Sequence, residues 1–240
     1  MVPEAAAVSA SLIELRGVTK VYGTGDAAMA ALRGVDLRIE RGEFVAVMGP
    51  SGSGKSTCLN ILGCLDMPTA GEYFFAGVEV GGLSRNQRAE LRRHYLGFIF
   101  QGFNLLNRTS ALENVELPLL YRGVAAAERH RLARKALQTV GLQSWEAHTP
   151  GELSGGQQQR VAIARAIVTE PEVLFADEPT GNLDTARSRE IMELLTRFNR
   201  EQGITIVMVT HEAEMAAFAT RTVRFVDGLV ASDTRREGPA

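Results

Sequence analysis

The feature that most constrains this chain is a glycine-rich run, Gly49-Pro50-Ser51-Gly52-Ser53-Gly54-Lys55-Ser56-Thr57. It fits the pattern G-x-x-x-x-G-K-[ST], in which backbone N–H groups wrap the phosphates of a nucleoside triphosphate. The apolar run Phe44 to Met48 precedes it and is typical of a buried strand, and Lys55 to Leu65 follows with helical character. A phosphate loop requires that order of strand, loop and helix, so the sequence predicts an α/β fold with a nucleotide site.

The residue types of this loop explain its expected chemistry. Glycines let the backbone close on phosphate oxygens without Cβ clashes, and the start of the helix adds about half a positive charge at the same place. Lys55 is expected to reach the β- and γ-phosphates, and the Ser56 hydroxyl to ligate Mg²⁺. The alternative is a chance glycine-rich turn, and the flanking strand and helix argue against it.

Composition sets the broad class of the protein. The chain is 45% hydrophobic, and its 26 basic and 28 acidic residues leave a net charge of −2. This is ordinary for a globular protein and disfavours a nucleic-acid binder. No apolar run approaches a membrane helix, and Met1 to Ser11 lacks the features of a secretion signal. Cys58 and Cys64 are expected on the phosphate-loop helix as small buried side chains in a reducing compartment.

Hydrophobic patterning predicts the remaining elements. Strands are expected at Leu12 to Leu15, Leu32 to Ile39, Glu72 to Val80, Leu96 to Phe100, Val173 to Ala176, Ile204 to Val209 and Thr222 to Ser232, the last with a tight turn at Asp227-Gly228. Helices are expected at Asn86 to His94, Ser110 to Arg122 with an interruption at Pro118, Ala125 to Val140, Gly155 to Val168, Thr185 to Gln202 and Glu212 to Ala219. The early strands indicate a small antiparallel sheet, and the later alternation of helices and strands indicates a parallel one.

Two further motifs carry chemistry. Leu174 to Glu178 is an apolar strand that ends in two carboxylates. Asp177 is placed to help hold Mg²⁺ and Glu178 to orient or deprotonate a water, although an ordinary acidic strand end has the same pattern. The run Leu153 to Arg160 opens a helix with a serine and two glycines, which fits either a serine cap or a second anion-binding helix start. Because the chain has one phosphate loop, this second start is explained if it completes a nucleotide site on another chain.

With this set of motifs the chain resembles the ATP-binding cassette (ABC) family of ATPases. The matching motifs, in the family's order, are the phosphate loop, the glutamine loop at Phe100-Gln101, the signature at Leu153 to Gln157, the acidic strand at Val173 to Glu178, the aspartate loop at Gly181 to Asp184 and the switch histidine at Thr210-His211. The resemblance implies a P-loop NTPase core with an antiparallel β subdomain and an inserted α-helical subdomain at about 103–168. It implies an ATP-binding domain over 12–233, with tails at 1–11 and 234–240.

The resemblance also implies the roles of single residues in ATP hydrolysis. It assigns nucleotide contacts to Tyr22 against the adenine, to Gly49, Pro50, Ser51, Gly52, Ser53, Gly54, Lys55, Ser56 and Thr57, and, across a dimer, to Ser154, Gly155, Gly156 and Gln157. It assigns catalytic roles to Glu178, His211, Lys55 and Gln101, metal contacts to Ser56, Gln101 and Asp177, and communication across the dimer to Asp184. The residue pattern alone leaves open that Tyr22 is only a packing aromatic.

Asn60 to Asp66 and Leu112 to Gly123 resemble the branch of macrolide-export, lipoprotein-release and cell-division ATPases. That branch implies an ATPase on the cytoplasmic face of the inner membrane. Its implied partners are a second ATP-binding subunit, a permease with a large periplasmic domain, and a periplasmic adaptor, without nucleic acid. Because the sequence stops at Ala240, we expect the permease to be a separate chain that exports or extracts cargo. The alternatives are an ATPase that signals across the membrane without moving cargo, and a cassette that acts on DNA or ribosomes, which the slightly acidic charge disfavours.

Overall fold

The computed structural model describes residues 11–236, which divide into two compact units. The first unit holds the described residues up to Glu90 and those from Val209 onwards, and the second is Leu91–Met208. The strands are β1 (Ser11–Tyr22), β2 (Met29–Glu40), β3 (Phe44–Met48), β4 (Ala70–Phe75), β5 (Val78–Glu79), β6 (Leu96–Phe100), β7 (Val173–Asp177), β8 (Thr205–Val209), β9 (Arg221–Val226) and β10 (Leu229–Arg235). The α-helices are α1 (Lys55–Leu62), α2 (Arg85–Tyr95), α3 (Ala111–Tyr121), α4 (Ala126–Thr139), α5 (Gly155–Ile167), α6 (Thr185–Gln202) and α7 (Ala213–Ala216).

The first unit contains the predicted small antiparallel sheet, with strand order β2-β1-β4-β5. Apolar side chains of β1 and β2 face the core, and Ile13 pairs with Ile39. The sheet segment predicted over Glu72 to Val80 consists of two strands, β4 and β5, which pair as a hairpin. Ala76 and Gly77 between them have φ angles of 49° and 79°. Positive φ at both central residues is the geometry of a tight hairpin turn, which ends the first strand.

A second set of strands in this unit leads to the phosphate loop. β3 runs parallel to β9, and β9 pairs antiparallel with β10. The turn predicted at Asp227-Gly228 is confirmed, with φ angles of 48° and 79°. β10 extends to Arg235, so Thr234 and Arg235 are paired residues and the prediction that they belong to a tail is wrong. Ser11 likewise begins β1, and residues 1–10 and 237–240 of the predicted tails lie outside the described residues.

Arg221 at the start of β9 is a buried residue at the centre of an ionic network in the first unit. Its guanidinium donates to Asp233 at 2.6 and 2.8 Å, to Glu43 at 2.8 Å and to the Arg38 carbonyl oxygen at 2.7 Å. The hydrogen bond with Asp233 raises the pKa of Arg221, and its counterpart lowers the pKa of Asp233. The network ties β9 and β10 to β2, an edge strand of the antiparallel sheet, and to Glu43 just before β3.

We predict that Arg221→Met destabilises the protein by about 2 kcal/mol, because it removes the hydrogen bonds of a buried guanidinium to the half-buried Glu43 and the exposed Asp233. The matched control is Arg131→Met, whose pair with Glu128 is fully exposed and should contribute little to stability. Chemical denaturation measures both. The lowered pKa of Asp233 stabilises the wild type at neutral pH, and this contribution disappears as the pH falls below about 4. A loss for Arg221→Met no larger than for the control would contradict the network.

The second unit contains a parallel sheet segment and three packed helices. Its strand order is β8-β7-β6, and β6 runs parallel to β7. α3, α4 and α5 pack on one another through buried apolar residues such as Val115, Leu137 and Ile163. These helices span 111–167, inside the range predicted for the helical subdomain. Within residues 11–236, no helix is both long enough and apolar enough to span a membrane.

Pro118 does not interrupt α3, and the sequence prediction on this point is wrong. The helix runs from Ala111 to Tyr121 with the proline inside it. Proline removes one N–H from the ladder, whereas its own carbonyl still accepts from the Arg122 N–H at 3.2 Å. Buried Val115 and Leu119 hold the turns on either side of it against the neighbouring helices.

Candidate functional site

Three glycines of the phosphate loop have backbone conformations that other residues avoid. Gly49, Gly52 and Gly54 have φ angles of 148°, 76° and 98°. A Cβ at Gly49 would lie 2.2 Å from the Phe225 carbonyl oxygen, and one at Gly54 would lie 2.5 Å from the Ala31 carbonyl oxygen. Close approach of other backbone therefore requires glycine at both ends of the loop.

The polar groups of the loop fit a chain of phosphates. Lys55 is buried, and its Nζ donates to the Pro50 carbonyl oxygen at 2.7 Å. Ser53 Oγ is buried without a hydrogen-bond partner in residues 11–236. α1 begins at Lys55 without a side-chain cap, so its first amides are left for another acceptor. Phosphate oxygens would satisfy the ammonium, the hydroxyl and the amides together. Of the other loop residues, Pro50, Ser51, Gly52 and Ser56 are exposed and Thr57 is half-buried.

Tyr22, the predicted adenine contact, is held by two charged side chains of the first unit. Its hydroxyl donates to Asp66 Oδ2 at 2.8 Å, and Lys20 Nζ lies 4.9 Å from its ring centroid. Lys20 also donates to Asp66 Oδ1 at 2.6 Å. Burial and the bond with Asp66 raise the pKa of Tyr22, and a hydrogen bond with Thr57 opposes this shift. The residue remains 37% exposed, so its ring can receive a flat base.

His211 lies beside the start of the phosphate loop. The Thr210 N–H donates to the Val47 carbonyl oxygen at 3.1 Å, next to the end of β3. His211 then lines an open cleft with Met48, Gly49, Pro50 and residues of β9 and β10. The first unit therefore brings the predicted switch histidine and the predicted phosphate loop to one cleft.

Cys58, on the first turns of α1, is free and fully buried. Burial raises the pKa of its thiol to about 12. We predict that native Cys58 does not react with iodoacetamide at pH 8, where only about one thiol in ten thousand is ionised, and that it reacts after denaturation. Mass spectrometry of the alkylated peptides measures this. Rapid labelling of the native protein at Cys58 would show that α1 opens readily.

α5 begins with a complete capping box at the predicted signature. Ser154 Oγ accepts from the Gln157 N–H, and Gln157 Oε1 accepts from the Ser154 N–H at 2.8 Å. These bonds satisfy the N–H groups of Ser154 and Gln157. The N–H groups of Gly155 and Gly156 begin the helix, where no preceding turn supplies a carbonyl oxygen to accept from them. A Cβ at Gly156 would lie 3.1 Å from Arg187 Cδ. The same residues are thus both a capped helix start and an amide pair suited to an anion.

Of the two carboxylates predicted at the acidic strand, one ends the strand and the other lies in a strained turn. Asp177 ends β7 and pairs with Phe100 of β6. Glu178 has a φ angle of 45°, which is costly for a residue with a side chain and persists where neighbouring contacts hold it. Gln159 of α5 is fully buried, and its Nε2 donates to the Pro179 carbonyl oxygen at 2.6 Å. The turn that carries Glu178 is therefore fastened to the signature helix.

The glutamine loop and the aspartate loop contact each other in the second unit. Asn182 Nδ2 donates to the Gln101 carbonyl oxygen at 2.7 Å. A Cβ at Gly181 would lie 2.9 Å from Gln101 Nε2, so the glycine makes room for the glutamine side chain. Asp184 caps α6, since its Oδ1 accepts from the Arg187 N–H at 3.0 Å.

The predicted metal ligands are the Ser56 hydroxyl, the Gln101 amide and the Asp177 carboxylate. Oxygen ligands of this kind suit Mg²⁺, which commonly keeps waters and takes further oxygens from substrate phosphates. In residues 11–236 no three or more His, Cys, Asp and Glu side chains are grouped to hold a metal. A Mg²⁺ ion that binds together with phosphates does not require a cluster of three such side chains. The chemistry of the three predicted ligands therefore fits Mg²⁺.

The fold and the site described above agree with the known proteins to which the chain is similar. The family model for the ABC transporter matches residues 32–181, and the chain belongs to that family. Its fold is that of the family's ATPase cassettes. The cassette MJ0796, solved as a dimer in a post-hydrolysis state bound to ADP and Pi, is 44% identical with a TM-score of 0.87. That match covers 95% of this chain and 100% of the cassette.

Two curated relatives are similar over nearly the whole chain. The macrolide export ATP-binding/permease protein MacB of Marinobacter nauticus is 52% identical over 95% of this chain and 35% of its own length. The pyoverdine export ATP-binding/permease protein PvdT of Pseudomonas syringae pv. syringae is 52% identical over 94% of this chain and 34% of its own length. The chain thus spans about a third of the length of these relatives. The predicted resemblance to the macrolide-export branch is confirmed.

Sequence reasoning missed four side chains that hold motif residues in place. They are Lys20 and Asp66 at Tyr22, Gln159 at the Glu178 turn, and Arg165, which bonds to the loop after Gln101. The hydrogen bonds that these side chains form join residues 20 to 62 positions apart along the chain, so no local pattern indicates them. Asp66 was part of a run that resembles the branch, but its pairing with Tyr22 was not predicted.

Proposed function

We propose that this chain binds and hydrolyses ATP and that the reaction drives a membrane permease. The observation that carries the proposal is the phosphate loop, whose buried Ser53 hydroxyl and Lys55 ammonium fit phosphate oxygens. A solved relative that holds ADP and Pi supports it. The nucleotide affinity and turnover of the Lys55→Ala and Glu178→Gln variants test it, as argued in the Discussion.

Phosphoryl transfer depends mainly on positioning and charge stabilisation. In our proposal the loop from Gly49 to Thr57 binds the phosphates, and Tyr22 stacks on adenine. Lys55 offsets charge on the β- and γ-phosphates. Glu178 polarises the attacking water, and His211 contacts the γ-phosphate.

Mg²⁺ bound with ATP would supply positive charge to the β- and γ-phosphates. Ser56 and Asp177 are the residues that we propose hold it. The Gln101 side-chain amide would contact the metal and the γ-phosphate, and its loop would signal the state of the nucleotide to the permease.

We further propose that two copies of the chain share each ATP. Ser154, Gly155, Gly156 and Gln157 then contact the nucleotide held by the other copy, and Asp184 relays between the copies. A shift from 1:99 to 99:1 in favour of the dimer requires about 5.5 kcal/mol. Charge-assisted hydrogen bonds contribute about 1.5–3 kcal/mol each, so two to four contacts to the γ-phosphate suffice. Hydrolysis removes these contacts and lets the dimer open.

The permease partner is proposed from the relatives, which are named as export ATP-binding/permease proteins. The proposed assembly sits on the cytoplasmic face of the inner membrane. It contains a permease with a large periplasmic domain and a periplasmic adaptor. Opening and closing of the ATPase dimer would be the stroke that moves cargo outward or extracts it from the membrane.

Affinity purification from detergent-solubilised membranes tests the permease. We expect a stoichiometric membrane protein with a large extracytoplasmic domain, and purification of the ATPase alone under mild conditions would count against it. Reconstitution of the purified complex in vesicles then separates transport from the alternative, a signalling ATPase that moves no cargo. ATP-dependent movement of cargo supports export, whereas ATP-dependent conformational change without movement supports signalling.

A further inference from the structure

Arg165 of α5 bonds to the backbone of the glutamine loop. Its NH1 donates to the Asn104 carbonyl oxygen at 2.5 Å and its NH2 to the Phe103 carbonyl oxygen at 2.9 Å. Burial lowers the pKa of Arg165, and it forms no ion pair with a carboxylate of the described chain. The side chain is half-buried, so the two carbonyl oxygens are the acceptors that compensate for its partial desolvation.

The segment that Arg165 contacts is strained. Phe103 and Asn104 have φ angles of 60° and 50°, the left-handed conformation that side chains disfavour. The turn is closed by two backbone bonds, from the Phe103 N–H to the Phe100 carbonyl oxygen and from the Asn104 N–H to the Gly102 carbonyl oxygen. Such conformations persist only where other contacts fix them, and the guanidinium fixes both carbonyls of this pair.

We propose that Arg165 is a positioning residue for Gln101. The inference rests on the role proposed above for Gln101 as the contact to metal and γ-phosphate. Asn182 holds the Gln101 carbonyl oxygen from one side, and Arg165 holds the turn two residues further on. Together they fix the backbone from which the Gln101 amide extends, so the amide is preorganised for its ligand.

The same bond couples two motifs in one protomer. Arg165 lies on α5, the helix that starts at the signature residues Gly155 and Gly156. A helix moves as a rigid element, so a displacement of its start reaches Arg165 and through it the loop of Gln101.

Hydrogen exchange tests the anchoring without any nucleotide. In Arg165→Met, which keeps a side chain of similar length, we expect the Phe103 and Asn104 amides to exchange at least about tenfold faster, with β6 unchanged. The control is Arg197→Met, which also removes a guanidinium bond to a backbone carbonyl, that of Thr139. It should leave the loop unchanged. Equal protection of the loop in Arg165→Met and the wild type would overturn the proposal.

The dependence on Mg²⁺ tests the link to Gln101. In a Glu178→Gln background, which retains ATP, the Mg²⁺ concentration at half-maximal ATP-driven dimerisation should rise about tenfold for Arg165→Met. Affinity for ATP in EDTA should change less than about twofold, because the phosphate loop is untouched. A merely structural role would lower the affinity in EDTA and the melting temperature without moving the Mg²⁺ midpoint.

The Gln101→Ala variant separates failure of this inference from failure of the proposed function. If Gln101→Ala leaves the Mg²⁺ midpoint unchanged, the role of Gln101 is wrong. If Gln101→Ala shifts the midpoint and Arg165→Met does not, only the role of Arg165 is wrong. In the double variant Arg165→Met should add nothing to the shift. If Arg165→Met does not fold, Arg165→Lys replaces it, because lysine keeps the charge and one bond to a carbonyl oxygen. This variant should shift both the amide exchange of the loop and the Mg²⁺ midpoint by about threefold, and the absence of a shift would overturn the proposal.

Discussion

The Glu178→Gln variant is expected to bind ATP with normal affinity, to hydrolyse it at least about 100-fold more slowly than the wild type, and to accumulate as an ATP-bound dimer. The amide has the shape of the carboxylate, so the turn held by Gln159 is preserved. It has no negative charge to polarise water, so the γ-phosphate stays in place and the contacts that close the dimer persist. Size-exclusion chromatography with and without ATP, and a phosphate-release assay, measure the two effects.

Glu193→Gln is the matched control, because Glu193 is an exposed glutamate on α6. It should keep wild-type turnover and dissociate after hydrolysis. A Glu178→Gln protein that remains monomeric and fully active would refute the role of Glu178. A variant that is inactive and fails to bind ATP would instead indicate that the turn has collapsed, which the melting temperature checks.

The Lys55→Ala variant should lose ATP affinity by about 100-fold or more and lose all measurable turnover, because truncating one partner of a desolvated charge pair costs several kcal/mol. Lys55 also donates to the Pro50 carbonyl oxygen, so the variant loses one contact within the loop itself. Isothermal titration with ATP in EDTA isolates the affinity from the metal. Lys135→Ala, on the exposed face of α4, is the control and should bind normally. Normal ATP binding by Lys55→Ala would contradict the assignment of the loop.

Elements with strong local signals at both ends could be predicted from the sequence. α6 has the predicted bounds because Asp184 caps its start and Gly203, with a φ angle of 68°, ends it. β3 and β6 are short apolar runs that also have the predicted bounds. The signature helix begins where a serine and two glycines indicate it. In each case the residues that define the boundary are themselves in the element or next to it.

Boundaries set by the backbone conformation of single residues could not be predicted. α1 ends at Leu62, three residues early, because Gly63 caps it and Cys64 has a φ angle of 55°. Cys64 is therefore buried beyond the helix, which corrects its predicted place. α7 has four residues where a helix over Glu212 to Ala219 was predicted. Beyond α7 the backbone hydrogen bonds join residues three apart instead of four, and the chain then continues through Thr220 into β9.

The motifs identify the candidate site residues themselves. They do not indicate which other side chains hold those residues in place. Lys55 and Ser56 are assigned by the pattern of the loop itself. The strain at Glu178 and the anchors Gln159 and Arg165 depend on contacts between segments far apart in the sequence. A single sequence carries no record of such pairings, so they emerge only with the fold.

The central claim is that each working catalytic centre is built from two copies of the chain, and a mixing experiment tests it most directly. Lys55→Ala disables the phosphate loop, and Gly156→Asp places a negative charge where the signature is proposed to meet phosphate, so each variant alone should be inactive. In an equal mixture about half of the dimers contain one of each, and each of those retains one intact centre, so about a quarter of wild-type turnover should return. A mixture as inactive as its components, or full turnover by chains verified as monomers during the assay, would contradict the claim.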